Sequence, residues 1–294
     1  MKFVLPMAFS DPTHGCEMAR VAESTGWHAV TVSDHVVHPE TIRSPYPYTA
    51  DGTPRFGAET PWPDPWVLIA AMAAVTSRLR FLTNVYVLPL RNPFVVAKAV
   101  GTAAVLSGDR VALGIGMGWM EEEFDLLEQP FRRRGRRADE MIAVMRKLWT
   151  GEPVEHQGEF YDFAPVRMLP APRERIPVYI GGTSEAAFER VARLGDGWVS
   201  DLHTTSDLAR LIAHIKRLRD ERGRGDQPLE VIASATDAFD VDGYRRLEDA
   251  GVTQIMTLPW LFYGGSTGSL AEKKEGIARF AEDVISRMPR EPSG

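Results

Sequence analysis

The feature that most constrains this chain is an alternation. Short apolar runs rich in Val, Ile and Phe are each followed by a longer amphipathic stretch, along the whole sequence. The runs fall at 3–9, 29–33, 80–87, 110–116, 177–181, 197–200, 229–235 and 254–259. They lack clean polar alternation, as strands covered on both faces do. Helical patterns fill 14–24, 65–76, 93–106, 136–149, 184–194, 206–222, 241–250 and 270–286. Asp64 before Pro65, and Ser184 before Glu185, are helix start signals. Strand then helix, eight times, predicts an α/β fold, the (β/α)8 TIM barrel, with a doubly wound open sheet as the alternative. A length of 294 residues suits one barrel, which commonly takes about 250. Residues 1–294 are therefore read as a single domain.

Two segments exceed the minimal repeat, one after strand 2 at about 36–64 and one after strand 4 at about 150–176. The first carries Pro39, Pro45, Pro47, Pro54, Pro61 and Pro63; the second carries Pro153, Pro165, Pro170 and Pro172. Loops of this length are usually lids or binding loops, and a barrel places its strand-end loops on the face that carries the chemistry. The tail at 289–294 is expected to fray.

Charge and cysteine content exclude several classes. The net charge of −6 gives no reason to approach nucleic acid or an anionic membrane. Cys16 is the only cysteine, so neither a disulfide framework nor a multi-cysteine zinc site is possible within the chain. The seven histidines show no ligand spacing, and no metal is expected. The opening apolar stretch is short for a signal peptide and meets Asp11, and no run nears the roughly 18 apolar residues of a membrane span. The expectation is a cytoplasmic protein acting on a small molecule. The basic run at 132–137 is followed by Asp139 and Glu140, and reads as a solvated helix start with ion pairs.

Polar and glycine residues collect at the strand ends, where a barrel puts its site. Strand 2 ends in Ser33-Asp34-His35, strand 3 contains Thr83-Asn84-Val85, and strand 4 runs into Gly114-x-Gly116-x-Gly118-Trp119. The last spacing falls short of the full dinucleotide fingerprint, so the glycines read as clearing space for a flat ring. Gly181-Gly182-Thr183 joins a strand to a helix, where close backbone and free N–H groups can receive a phosphate; an ordinary tight turn is the plainer alternative. His35 at a strand end can exchange protons near neutral pH, or can be a buried, hydrogen-bonded histidine. Trp62, Trp119 and Trp260 are expected as walls of a substrate pocket.

These pieces together resemble a known family, the luciferase-like flavin and deazaflavin oxidoreductases. The likeness is carried by TGWHAVTVSDH at 25–35, TNVYVLPLRNPFVVAKAVGTAAVLSGDRVALGIGMGWMEEEF at 83–124, RGRRADEMIAVMRKLW at 134–149, HQGEFYDF at 156–163 and PVYIGGTSEAAFERVARLGDGW at 177–198. The branch that uses coenzyme F420, a deazaflavin, fits best. The resemblance implies a homodimer and a cofactor bound by Asp34, Thr83, Asn84, Val85, Gly116, Gly118, Gly181, Gly182 and Thr183. It implies a cis peptide at Asn84–Val85, and His35 as the proton carrier with Asp34 positioning or charge-balancing it. The sugar-phosphate dehydrogenases of this group carry a glutamate where this chain has Trp119 and a tryptophan where it has Pro39. The implied reaction is hydride transfer between F420 and a small organic substrate, and the aromatic residues of the first long loop and the strand ends lead us to expect that substrate to be apolar or aromatic. An FMN-dependent monooxygenase is the alternative, and a non-catalytic flavin-binding protein is the rival from another class.

Overall fold

The computed structural model describes residues 1–265 and 268–288, so the expectation for the tail at 289–294 lies outside the described residues. Among the described residues, eleven strands form. They are β1 (Lys2–Pro6), β2 (Ala29–Val32), β3 (Arg80–Thr83), β4 (Tyr86–Val87), β5 (Val111–Gly116), β6 (Val154–Gln157), β7 (Asp162–Val166), β8 (Val178–Gly181), β9 (Gly197–His203), β10 (Glu230–Ala235) and β11 (Gln254–Met256). All except β6 and β7 belong to one parallel sheet. Pairing of β1 with β11, and of β3 with β5, closes it into a barrel of eight staves.

The barrel interior is built with one residue from each stave. Val4, Ala29, Leu82, Ala112, Tyr179, Val199, Ile232 and Met256 form a single buried cluster, with Val85 packed against it. A much larger cluster fills the shell between staves and helices. Two separate apolar layers explain why the strands read as apolar runs: both faces of each stave are covered. The helices are α1 (Gly15–Thr25), α2 (Pro65–Ala73), α3 (Pro93–Ser107), α4 (Glu121–Leu126), α5 (Arg134–Leu148), α6 (Glu185–Leu194), α7 (Thr205–Asp220), α8 (Val241–Asp249) and α9 (Leu270–Asp283). Asp64 caps α2 through Trp66 N and Val67 N, and Ser184 caps α6, as their positions before the helices foretold.

Three departures from the sequence reading affect the site. The third stave is not one strand over 80–87 but two, β3 and β4, broken where the Asn84–Val85 peptide is cis. The short helix α4 was not anticipated; six residues give too little apolar period to show in a sequence window. The third departure concerns 150–176. That segment follows α5 and not a strand, so it leaves from the opposite end of the barrel, and it is not structureless. It forms the β6–β7 hairpin on the outside of the barrel. Glu140 of α5 receives the N–H groups of Glu159, Phe160 and Tyr161, and Phe163 meets Phe94 of α3 with ring centres 4.9 Å apart. Only the 36–64 insertion lies over the strand ends. Among the described residues no helix is long and apolar enough to cross a membrane.

Candidate active site

His35 and Asp34 leave the end of β2 side by side, and their side chains part company, as adjacent residues leaving a strand do. Asp34 is 3% exposed and turns to the barrel wall. It accepts from Val87 N at 2.9 Å and takes both prongs of the Arg91 guanidinium, at 2.6 and 2.8 Å. Arg91 in turn lies over the Tyr86 ring, 4.2 Å from its centre. Burial pushes the Asp34 carboxyl above the ordinary carboxylate value, against the pull of Arg91. Asp34 is thus not the partner of His35, which corrects the role expected for it. It ties β2 to β4 instead.

The partner of His35 is Glu123 of α4, with Oε2 3.1 Å from Nδ1. The other oxygen of Glu123 accepts from Val36 N at 2.6 Å. Its neighbour Glu122 accepts from Arg43 N at 2.7 Å, from Ser44 N at 3.1 Å and from Ser44 Oγ at 2.8 Å. One short helix therefore stitches the insertion down at two places. The sequence reading passed over both glutamates; the available signal was three consecutive acids beginning three residues beyond the last strand-end glycine, Gly118.

Over His35 the insertion folds back as a layer of rings. Ring centres lie 4.9 Å away for Phe56, 5.2 Å for Trp62 and 6.3 Å for Trp119. Tyr46 sits edge-on to Trp119 at 5.1 Å. Arg55 reaches across to the end of β9, its two terminal nitrogens 2.7 and 2.9 Å from the oxygens of Asp201, and also donates to Tyr48 O at 2.6 Å. Burial beneath this layer pushes the Tyr48 phenol up to about 12. Trp62 and Trp119 are thus brought together with His35. Trp260 is not: it is 1% exposed, and a Cβ at Gly276 of α9 would come within 2.5 Å of its Cα. Its close seat against α9 makes Trp260 a core residue, a correction to its expected place in the pocket wall.

The strand-end glycines pack closely against the third stave. A Cβ at Gly116 would meet Val85 Cγ2 at 2.6 Å, and one at Gly181 would meet Val85 Cγ1 at 2.8 Å. Both glycines make room for Val85. At Gly118 the φ of +77° and the closeness of Phe124 and Val87 exclude a side chain. Thr83 is buried and donates to Gly114 O at 2.7 Å, and Ser33 donates to Asn84 O at 2.8 Å. These two bonds hold the broken third stave between its neighbours. Gly182 has φ +118°, and its carbonyl accepts from Trp198 Nε1 at 2.8 Å. Thr183 is exposed beside it, at the start of α6. The first-turn N–H groups and the positive end of that helix suit an anion.

Comparison with known proteins agrees with this architecture. The chain is 41% identical over 291 residues to an uncharacterized protein of Mycobacterium tuberculosis, covering 98% of this chain and 100% of that one. It is 30% identical over 293 residues to a protein of Segniliparus rotundus named F420-dependent glucose-6-phosphate dehydrogenase, covering 96% of this chain and 78% of the relative. Among solved structures, an F420-dependent secondary alcohol dehydrogenase with an F420–acetone adduct superposes with TM-score 0.75 at 17% identity, over 98% and 99% of the two chains. The monooxygenase RslO1 of Streptomyces bottropensis superposes with TM-score 0.74 at 21% identity, over 97% and 99%. A model of the luciferase-like monooxygenase family matches residues 5–276, and the chain belongs to that family.

Proposed function

We propose that this protein is an oxidoreductase that transfers a hydride between coenzyme F420 and a small apolar or aromatic substrate. The observation that carries the reading is the setting of His35. It is an imidazole at a strand end, anchored through Nδ1 on a buried carboxylate and roofed by Phe56, Trp62 and Trp119. The residues present fit a phosphate-bearing deazaflavin. Val85 offers an apolar surface between Gly116 and Gly181, and the Gly181-Gly182-Thr183 turn opens backbone N–H groups at a helix start. When bound, a deazaflavin supplies a carbon that accepts or returns a hydride.

The chain's own part is to hold, orient and move one proton. In the oxidising direction the substrate loses a hydride from carbon and its adjacent O–H or N–H proton goes to His35, so two electrons and two hydrogens leave together. The aromatic roof excludes water and favours flat, apolar substrates, because a polar group buried without a partner costs about 1–3 kcal/mol. By the resemblance to the sugar-phosphate dehydrogenases, Trp119 takes the position of their glutamate, which speaks against a sugar phosphate here. Reduced FMN with O2 is the second reading, favoured by the likeness to the monooxygenase RslO1.

Titration with each cofactor, followed by turnover with enones, imines and nitro compounds, tests the proposal. F420 is expected to bind more tightly than FMN. Purification with stoichiometric FMN and oxygen-dependent turnover would replace the first reading with the second. Saturable oxidation of glucose 6-phosphate would overturn the substrate class. A homodimer is part of the same reading: Val67 of α2 and Val95 and Leu106 of α3 present large apolar side chains to solvent. Sedimentation at micromolar concentration should show two copies, and Val67→Lys with Val95→Lys should give one.

A further inference from the structure

We propose that Glu123 is a positioning residue that fixes His35 in the tautomer with its proton on Nδ1. Nε2 is then the bare nitrogen that takes the substrate proton, and this catalytic consequence rests on the reading of His35 given above.

The argument is one of donors and acceptors. A neutral imidazole has one N–H and one bare nitrogen, and a carboxylate can only accept. Oε1 of Glu123 already receives the Val36 N–H, while Oε2 lies 3.1 Å from Nδ1 of His35. Glu123 is 1% exposed, so water does not supply an alternative donor. The only hydrogen bond this pair can form puts the proton on Nδ1. A buried carboxylate behind an imidazole performs the same duty in serine hydrolases, where exchanging it for an amide costs about 10⁴-fold in turnover.

The same geometry makes Glu123→Gln informative. Only the amide oxygen can accept the Val36 N–H, so the NH2 group is placed against Nδ1 of His35. That group donates and requires Nδ1 to be bare, which moves the ring proton to Nε2. One substitution of nearly equal shape therefore inverts the tautomer.

The full-length chain labelled with ¹⁵N in its imidazoles reports the tautomer by long-range ¹H–¹⁵N correlation. The measurement is made at about pH 9, well above the ordinary histidine value of about 6.5. The His35 signals are assigned by their loss in His35→Asn. The wild type is expected to show Nδ1–H and Glu123→Gln to show Nε2–H. With cofactor affinity held within about twofold, turnover in the variant is expected to fall by about 10²–10⁴-fold. Nε2–H in the wild type overturns the proposal with no variant needed, and an unchanged tautomer in a folded Glu123→Gln overturns it too. An inverted tautomer with full turnover would leave Glu123 as the residue that fixes the ring and would sink the proton-transfer reading of His35 instead.

Discussion

The two proline-rich insertions resemble each other in sequence and differ in what they become. Both are close to thirty residues, and both lack helical or strand periodicity. The first, at 36–64, leaves from the end of β2 and spreads its rings over the barrel mouth. The second, at 150–176, leaves from the end of α5 and returns along the outer helices as a hairpin. Composition is not what separates them. The element that precedes each one decides, because a barrel sends its strands toward one face and its helices toward the other. The first insertion is anchored by carboxylates at the mouth, Glu122, Glu123 and Asp201; the second by Glu140, on the outer surface.

If this division holds, substitutions at the mouth change chemistry and substitutions at the hairpin change stability. The largest effect is expected from His35→Ala, with turnover down by about 10²–10⁴-fold and cofactor affinity little changed. Steady-state kinetics beside a binding titration check it, and full turnover would make His35 a structural residue only. Next comes Glu140→Ala, which strands three backbone N–H groups and His156. We expect a loss of about 1–3 kcal/mol in denaturant unfolding with turnover per folded molecule preserved. A kinetic defect without a stability defect would mean that the second insertion also serves the site.

Gly182→Val sharpens the contrast within the mouth itself. Its φ of +118° disfavours a β-branched side chain, and the turn is where a phosphate would meet the backbone. Cofactor binding should weaken at least tenfold, about 1.4 kcal/mol, and unchanged affinity in a folded variant would put the phosphate elsewhere. The smallest effect is expected from Arg55→Ala. Its pair with Asp201 is partly exposed, and such pairs contribute at most about 1 kcal/mol. Hydrogen exchange at the amides of 45–60 should quicken by no more than about fivefold; a hundredfold change would mean that this pair alone holds the insertion closed.

The barrel was legible in the sequence because covered strands leave a plain apolar record. The cap at Asp64 and the cis bond at Asn84–Val85 were also foreseen, the first from local chemistry and the second from family likeness. What was not legible depends on distance along the chain. Glu123 is 88 residues from His35, and nothing local marks an acid in a short helix as the partner of a distant histidine. Asp34 misled for the converse reason: adjacency in sequence suggested a pair, whereas its true partner is Arg91, 57 residues on. Trp260 showed that a tryptophan near a strand end can belong to the core as readily as to the mouth.

The placement of the two stitches on α4 has a consequence for how this enzyme can change. Glu123 holds 36 and 37, Glu122 holds 43 and 44, and beyond them the stretch from Tyr46 to Pro61 is tied back to β9 through the Arg55–Asp201 pair. The stretch that spreads its rings over the mouth is thus seamed at one end to the same helix that holds His35. Both seams lie within 36–44, so a protein engineer who cuts after Ser44 and before Trp62 alters the roof over His35 without touching them.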